Sequence, residues 1–190
     1  MDALDLLEQQ HREVRELLEQ LSFETAKANA TQRLEQLVRA VEAHLRVEDA
    51  YVYIACASKL RGEERAAQAN DVRRSLLSAL HALHDAAPSD PQFRTNLTTL
   101  SEHFACHIDL EEDVVFPKLK RTLTDEALDV LGEAIAHAHR RLMAHDKPWL
   151  EVDEVRLARR TVRGAREPIS RRCAILRSGV RPKIRPAPAG

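Results

Sequence analysis

From Glu102 to Pro117 the chain reads EHFACHIDLEEDVVFP, an apolar helical seam interrupted by a histidine and a glutamate. His107 and Glu111 stand four residues apart, with His103 one turn earlier, so a helix puts all three on roughly one face. Leu97, Leu100, Phe104 and Val114 fall on the same face and turn it toward a core. An imidazole and a carboxylate are costly in an apolar core without a partner, and a metal ion would be such a partner. An earlier stretch, HLRVEDAYVYI, repeats the arrangement with His44 and Glu48. The pattern points to a metal site inside a helical bundle.

The remaining sequence agrees with helices. Its 190 residues are 44% apolar, enough for one ordinary domain with a real core and an appendage. Aromatics make up only 4%, strand formers rarely come in runs, and there are only five glycines. These features predict an all-α protein, and the helices and levels read below are those of an up-down-up-down four-helix bundle with additional C-terminal helices and a basic tail. The expected divisions are a bundle over 1–120, a helical segment packed on it over 121–158, and an Arg/Pro-rich tail over 159–190.

A first helix is predicted over 2–21, with Leu4, Leu7, His11, Val14, Leu18 and Leu21 forming a bundle seam that includes one histidine. The turn falls within 22–30. A second helix follows over 31–60, its seam running Leu34, Leu37, Val41, His44, Glu48, Tyr51 and Ala55, with Arg61-Gly62 as the stop. The third helix, 63–86, has an apolar stripe of Val72, Leu76, Leu80 and Leu83. No His, Asp or Glu sits well on the N-terminal half of that stripe, and Arg73 falls within its apolar arc. AAPSDP, 86–91, breaks the chain before a fourth helix over 91–116 that Pro117 ends or kinks.

Counted from the loops at about 1.5 Å per residue, His11, His44 and His107 lie within about a turn of one height. Asn70 of the third helix reaches the same height, whereas His81 and His84 fall roughly two turns or more away. A fifth helix is expected over 124–145, begun by Thr124. Of its His137, His139 and His145 only His137 and His145 approach one face, which disfavours a second metal site. Pro148-Trp149 would cap the body, and a further helical piece would span 152–162.

Charge divides the chain. From Arg159 onward there are ten Arg or Lys against one acid, a local +9 within a net charge of -1, so the preceding residues carry -10. The tail reads as a solubilising or docking extension for an anionic or protein partner. Without a recognition-helix motif or aromatic interleaving, nucleic acid is disfavoured. Cys56, Cys106 and Cys173 form no CxxC pair and no disulfide framework, and Cys56 and Cys106 read as small buried hydrophobes, which suits a reducing cytoplasm. No apolar run approaches a membrane span, and the acidic N-terminus has no signal-peptide pattern.

With HREVRELL around His11, His44-x-x-x-Glu48, His107-x-x-x-Glu111 and the following EDVVFPKL, the chain resembles the hemerythrin family, specifically the bacterial HHE cation-binding domains, over about 4–119. The resemblance implies a non-haem di-iron centre with two irons bridged by an oxo or hydroxo group. Glu48 and Glu111 would be the bridging carboxylates, with His11, His44 and His107 as terminal ligands. One departure stands out. Aligning NDVRRSLL with HREVRELL puts Asn70 where a third-helix histidine or glutamate ligand is expected. His103, sharing a face with His107, is the preferred substitute ligand.

Three imidazoles and two carboxylates also suit Mn or Zn, and no cysteine joins them to make a soft site. Leu7, Leu37, Phe104 and Val114 would exclude bulk water, and Tyr51 would stand behind the ligands as a hydrogen-bond donor. No Gly-rich phosphate loop or Ser-His-Asp arrangement is present, which argues against a kinase or hydrolase. The leading expectation is a non-enzymatic di-iron protein that binds dioxygen or another small diatomic, or senses oxygen or redox state. The alternatives are a di-iron oxidase, peroxidase-like or nitric-oxide-processing enzyme, and a metal-free helical interaction domain. Either a monomer or a homodimer is compatible with the sequence.

Overall fold

The computed structural model describes residues 1–52 and 63–144. Helix α1 (Ala3–Phe23) begins at Asp2, whose carboxylate accepts the backbone N–H groups of Leu4 and Asp5. The turn to α2 (Lys27–Val47) is shorter than the sequence suggested, because Glu24 caps it by accepting the N–H groups of Thr25 and Ala26. Those bonds, the one from Ala26 foremost and assisted by Arg33, hold the Glu24 carboxyl below its usual range. Arg33 of α2 meets Gln20 and His44 meets Gln10, so α1 and α2 run antiparallel.

Helix α3 (Glu63–His84) and α4 (Pro91–Leu110) pair in the same way, with Asn96 meeting the carbonyl of Ala82 and His103 that of Ser75. Asp90 caps α4 by accepting the N–H of Gln92, and Pro91 occupies the first turn, where its missing N–H costs nothing. Pro117 does not end the fourth helix. It falls in the first turn of α5 (Phe116–Thr122), which continues the path of α4. Helix α6 (Asp125–Met143) starts at Thr124, whose hydroxyl accepts the N–H of Ala127, and it packs across α1 and α2.

Two single π-helical turns interrupt this pattern, Glu48–Val52 after α2 and Glu111–Val115 after α4. Each inserts one residue beyond α-helical register. The inward positions therefore move by one: Val52 and Val115 are buried, while Tyr51 and Val114, expected on the seams, are only half-buried. The two segments match in sequence, HLRVEDAYV and HIDLEEDVV. In both, the histidine lies in the last turn of the α-helix and the glutamate opens the π turn.

The apolar core consists of two clusters. The upper one joins Val14, Leu18, Leu37, Val41, Leu76, Leu80, Leu100 and Phe104, among others from α1 to α4. The lower one joins Leu4, Leu7, Val52, Val115, Leu119, Leu128 and Ile135, so α5 and α6 close that end. Between them lies a layer of buried polar groups.

Cys106 corrects an expectation, since it is buried in α4 and disulfide-bonded. Cys56 and Cys173 lie outside the described residues, and a disulfide at Cys106 removes unpaired thiols as a sign of a reducing compartment. Arg61-Gly62, His145, Pro148-Trp149, the helical piece over 152–162 and the basic tail also lie outside the described residues. No described helix is long and apolar enough to cross a membrane.

Candidate metal centre

The polar layer consists of His11 from α1, His44 and Glu48 from the α2 junction, and His107 and Glu111 from the α4 junction. All five are essentially inaccessible to solvent, and one donor atom from each lies within 4.8 Å of all the others. His44 Nε2 is 2.7 Å from a Glu48 oxygen and 3.1 Å from His107 Nε2. His107 Nε2 is 3.4 Å from Glu48 and 3.5 Å from Glu111, and His11 Nε2 is 3.3 Å from Glu111.

These short distances are not a satisfied hydrogen-bond network. His11 Nε2 and both carboxylate oxygens of Glu48 are buried without an aligned hydrogen bond. Buried polar atoms are rarely left so, and here they converge on common ground. Two histidines are held in the tautomer a metal needs. His11 Nδ1–H donates to Glu112 at 2.8 Å, and His44 Nδ1–H donates to the Gln10 side-chain oxygen at 3.0 Å. Each leaves the Nε2 lone pair facing the cluster. Phe116 stacks on the His11 ring, and Phe104 lies about 6 Å from all three imidazoles, so the rings are held by packing as well.

Burial and neighbouring charge pull the groups of this layer in opposite directions. Burial pushes His44 down to about 4 despite the neighbouring Glu48. Burial also opposes a charge on His107, but the Glu111 and Glu48 carboxylates outweigh it and raise His107 to about 9, against the charge of Arg73 on α3. Burial, reinforced by the charge of Glu48, lifts Glu111 to about 7. Burial acts in the same direction on Glu48, yet the two imidazoles, His44 first, hold it well below the usual carboxylate range. In effect, protons on His107 and Glu111 supply the positive charge that two buried carboxylates demand. The layer is compatible with a pair of irons or other divalent metal ions, which would supply that charge more directly.

Two positions named from the sequence stand outside this group. His103 turns toward α3, where its Nδ1–H donates to the Ser75 carbonyl at 2.8 Å. Asn70 is exposed on α3. His84 is also exposed, 3.8 Å from Asp85. Tyr51 packs against the lower core. Behind the imidazoles stand Gln10 and Glu112, which the sequence reading passed over. Each is the immediate neighbour of a cluster residue, and Gln10 is a polar residue on the buried side of α1.

Residues 2–119 match the family model for the hemerythrin HHE cation binding domain. The chain belongs to this family. Its fold is similar to the crystal structure of a hemerythrin HHE cation binding domain-containing protein from Mycobacterium kansasii, at 21% identity and a TM-score of 0.69. That likeness covers 84% of this chain and 98% of the other. No curated protein matches the chain in sequence. The buried His/His/Glu/His/Glu set is geometrically consistent with a hemerythrin-type di-iron site that binds dioxygen.

Proposed function

We propose that this protein is a non-haem di-iron protein that binds dioxygen or another small diatomic, or reports oxygen or redox state, without catalytic turnover. One observation carries the reading: five donor atoms from three helices converge within 4.8 Å, in an apolar interior, with two imidazoles already in the metal-binding tautomer. Glu48 and Glu111, each flanked by imidazoles on more than one helix, would serve as the shared carboxylates. His11, His44 and His107 would complete the set. When bound, an iron pair supplies reversible one-electron chemistry and open positions for a small ligand.

The surrounding residues restrict what reaches the centre. Leu7 and Leu37 are fully buried and Phe104 nearly so, which excludes bulk water and favours a ligand of a few atoms.

Anaerobic purification followed by iron analysis per chain tests the proposal, with Mn and Zn measured alongside. The expected result is close to two irons per chain and a visible charge-transfer band that changes reversibly with dioxygen. Sustained consumption of peroxide or nitric oxide would assign an enzyme instead. A folded chain that takes up no metal would overturn both readings.

A further inference from the structure

The third helix brings no imidazole or carboxylate into the cluster among the described residues. What it does bring close is Arg73, the residue that broke its apolar arc. The Arg73 guanidinium donates through Nη2 to the Leu45 carbonyl at 3.2 Å and pairs with the Asp49 carboxylate. Leu45 follows His44, and Asp49 follows Glu48. The guanidinium thus spans the one turn of backbone that carries both α2 members of the metal set, across the junction where α-helix becomes π turn. A π turn leaves carbonyls off the α-helical ladder, and a fixed cation from a neighbouring helix can hold them. The Arg73 side chain is 19% exposed, and its Nε–H is buried with no hydrogen-bond partner.

We infer that Arg73 is a positioning residue of the metal centre, clamping the His44–Asp49 turn so that α3 controls the geometry of Glu48 without ligating metal. The inference rests on the metal-binding reading above. A planar, permanently charged fork is suited to engage a carbonyl and a carboxylate together, which a lysine does less rigidly. Groups that orient metal ligands from outside typically account for about 10–100-fold in metal affinity.

The test is a competition titration of the full-length chain with Co(II) and Zn(II), comparing wild type with Arg73→Gln, Arg73→Lys and Asp49→Asn. Melting of each metal-free protein is measured alongside. Arg73→Gln is expected to weaken metal binding about 10–100-fold and to shift the Co(II) visible bands at saturation. Arg73→Lys should recover part of both effects. Asp49→Asn, at a half-exposed position, should weaken binding less and add little on top of Arg73→Gln. A lower metal-free melting temperature with unchanged affinity and Co(II) spectrum would make Arg73 merely structural and overturn the inference. If Arg73→Gln fails to fold, Arg73→Lys and Asp49→Asn decide, and unchanged affinity and spectrum in both would overturn it. Wild type that binds neither metal would instead sink the metal-binding reading itself.

Discussion

At the scale of single residues, the centre is set by protons as much as by positions. Below about pH 7 both Glu111 and His107 hold a proton, and between about 7 and 9 only His107 does. A metal ion needs both groups bare and must expel those protons. The sign follows: metal affinity rises with pH, by about tenfold per unit for each proton displaced. Zn(II) added in weak buffer with an indicator dye should release about two protons per chain from these groups at pH 6 and about one at pH 8. Release that does not change with pH would contradict the assignment. Glu112 offers a second test. Its carboxylate is the partner of His11 Nδ1, and its side chain is 35% exposed. Glu112→Ala should therefore leave the fold intact while lowering metal affinity about 10–100-fold, because the His11 ring loses its fixed tautomer. Chelator competition against wild type measures this, and equal affinities would remove Glu112 from the centre.

At the scale of helices, much was legible and the exceptions have identifiable causes. Seams of alternating three and four gave α1, α4 and α6, since burial on one face imposes that spacing. The same seams exposed His11, His44, Glu48, His107 and Glu111, because an ionisable group in an apolar stripe is conspicuous. The π turns were not legible. His-x-x-x-Glu has α-helical spacing, and the extra residue shows only afterward, as Val52 buried in place of Tyr51 and Val115 in place of Val114. His103 misled for a related reason: it shares a face with His107, but α3 lies close enough to claim its N–H for Ser75. Interhelical partners such as Glu112 for His11 depend on how two helices are rotated, which periodicity does not give. The docking of α6 depends on another such detail. A Cβ placed on Gly132 would come within 2.9 Å of backbone atoms of Asp2 and Ala3. Neither can give way without moving the start of α1. Gly132→Ala should cost about 1–3 kcal/mol and lower the melting temperature by several degrees, a loss that thermal melts would register. An unchanged melt would mean that α6 does not press on α1 as closely as described.

At the scale of the whole molecule, a layer of charge divides the apolar core, and this ties folding to metal. The upper and lower clusters would otherwise merge into a continuous interior, but five ionisable groups stand between them, and His11 Nε2 and both Glu48 oxygens lack an aligned hydrogen bond. Such a layer weakens a fold unless something compensates its charge, and buried ionic groups replaced by well-packed apolar ones are often neutral or stabilising. Metal should therefore act as a keystone: at a free concentration a thousandfold above its dissociation constant it adds about 4 kcal/mol, or roughly 10 °C for a chain of this size. Removing it with a chelator should lower the melting temperature by that order, and restoring Fe(II) or Zn(II) should recover it. A chain with His11, His44 and His107 changed to Leu and Glu48 and Glu111 changed to Met gives the converse test. It should ignore the chelator and melt no lower than the metal-free wild type, because what it loses is the uncompensated layer. If stripping the metal, verified by elemental analysis, left the wild-type melt unmoved, the layer would be a self-sufficient network of protons and hydrogen bonds, and the link between metal and folding would fail.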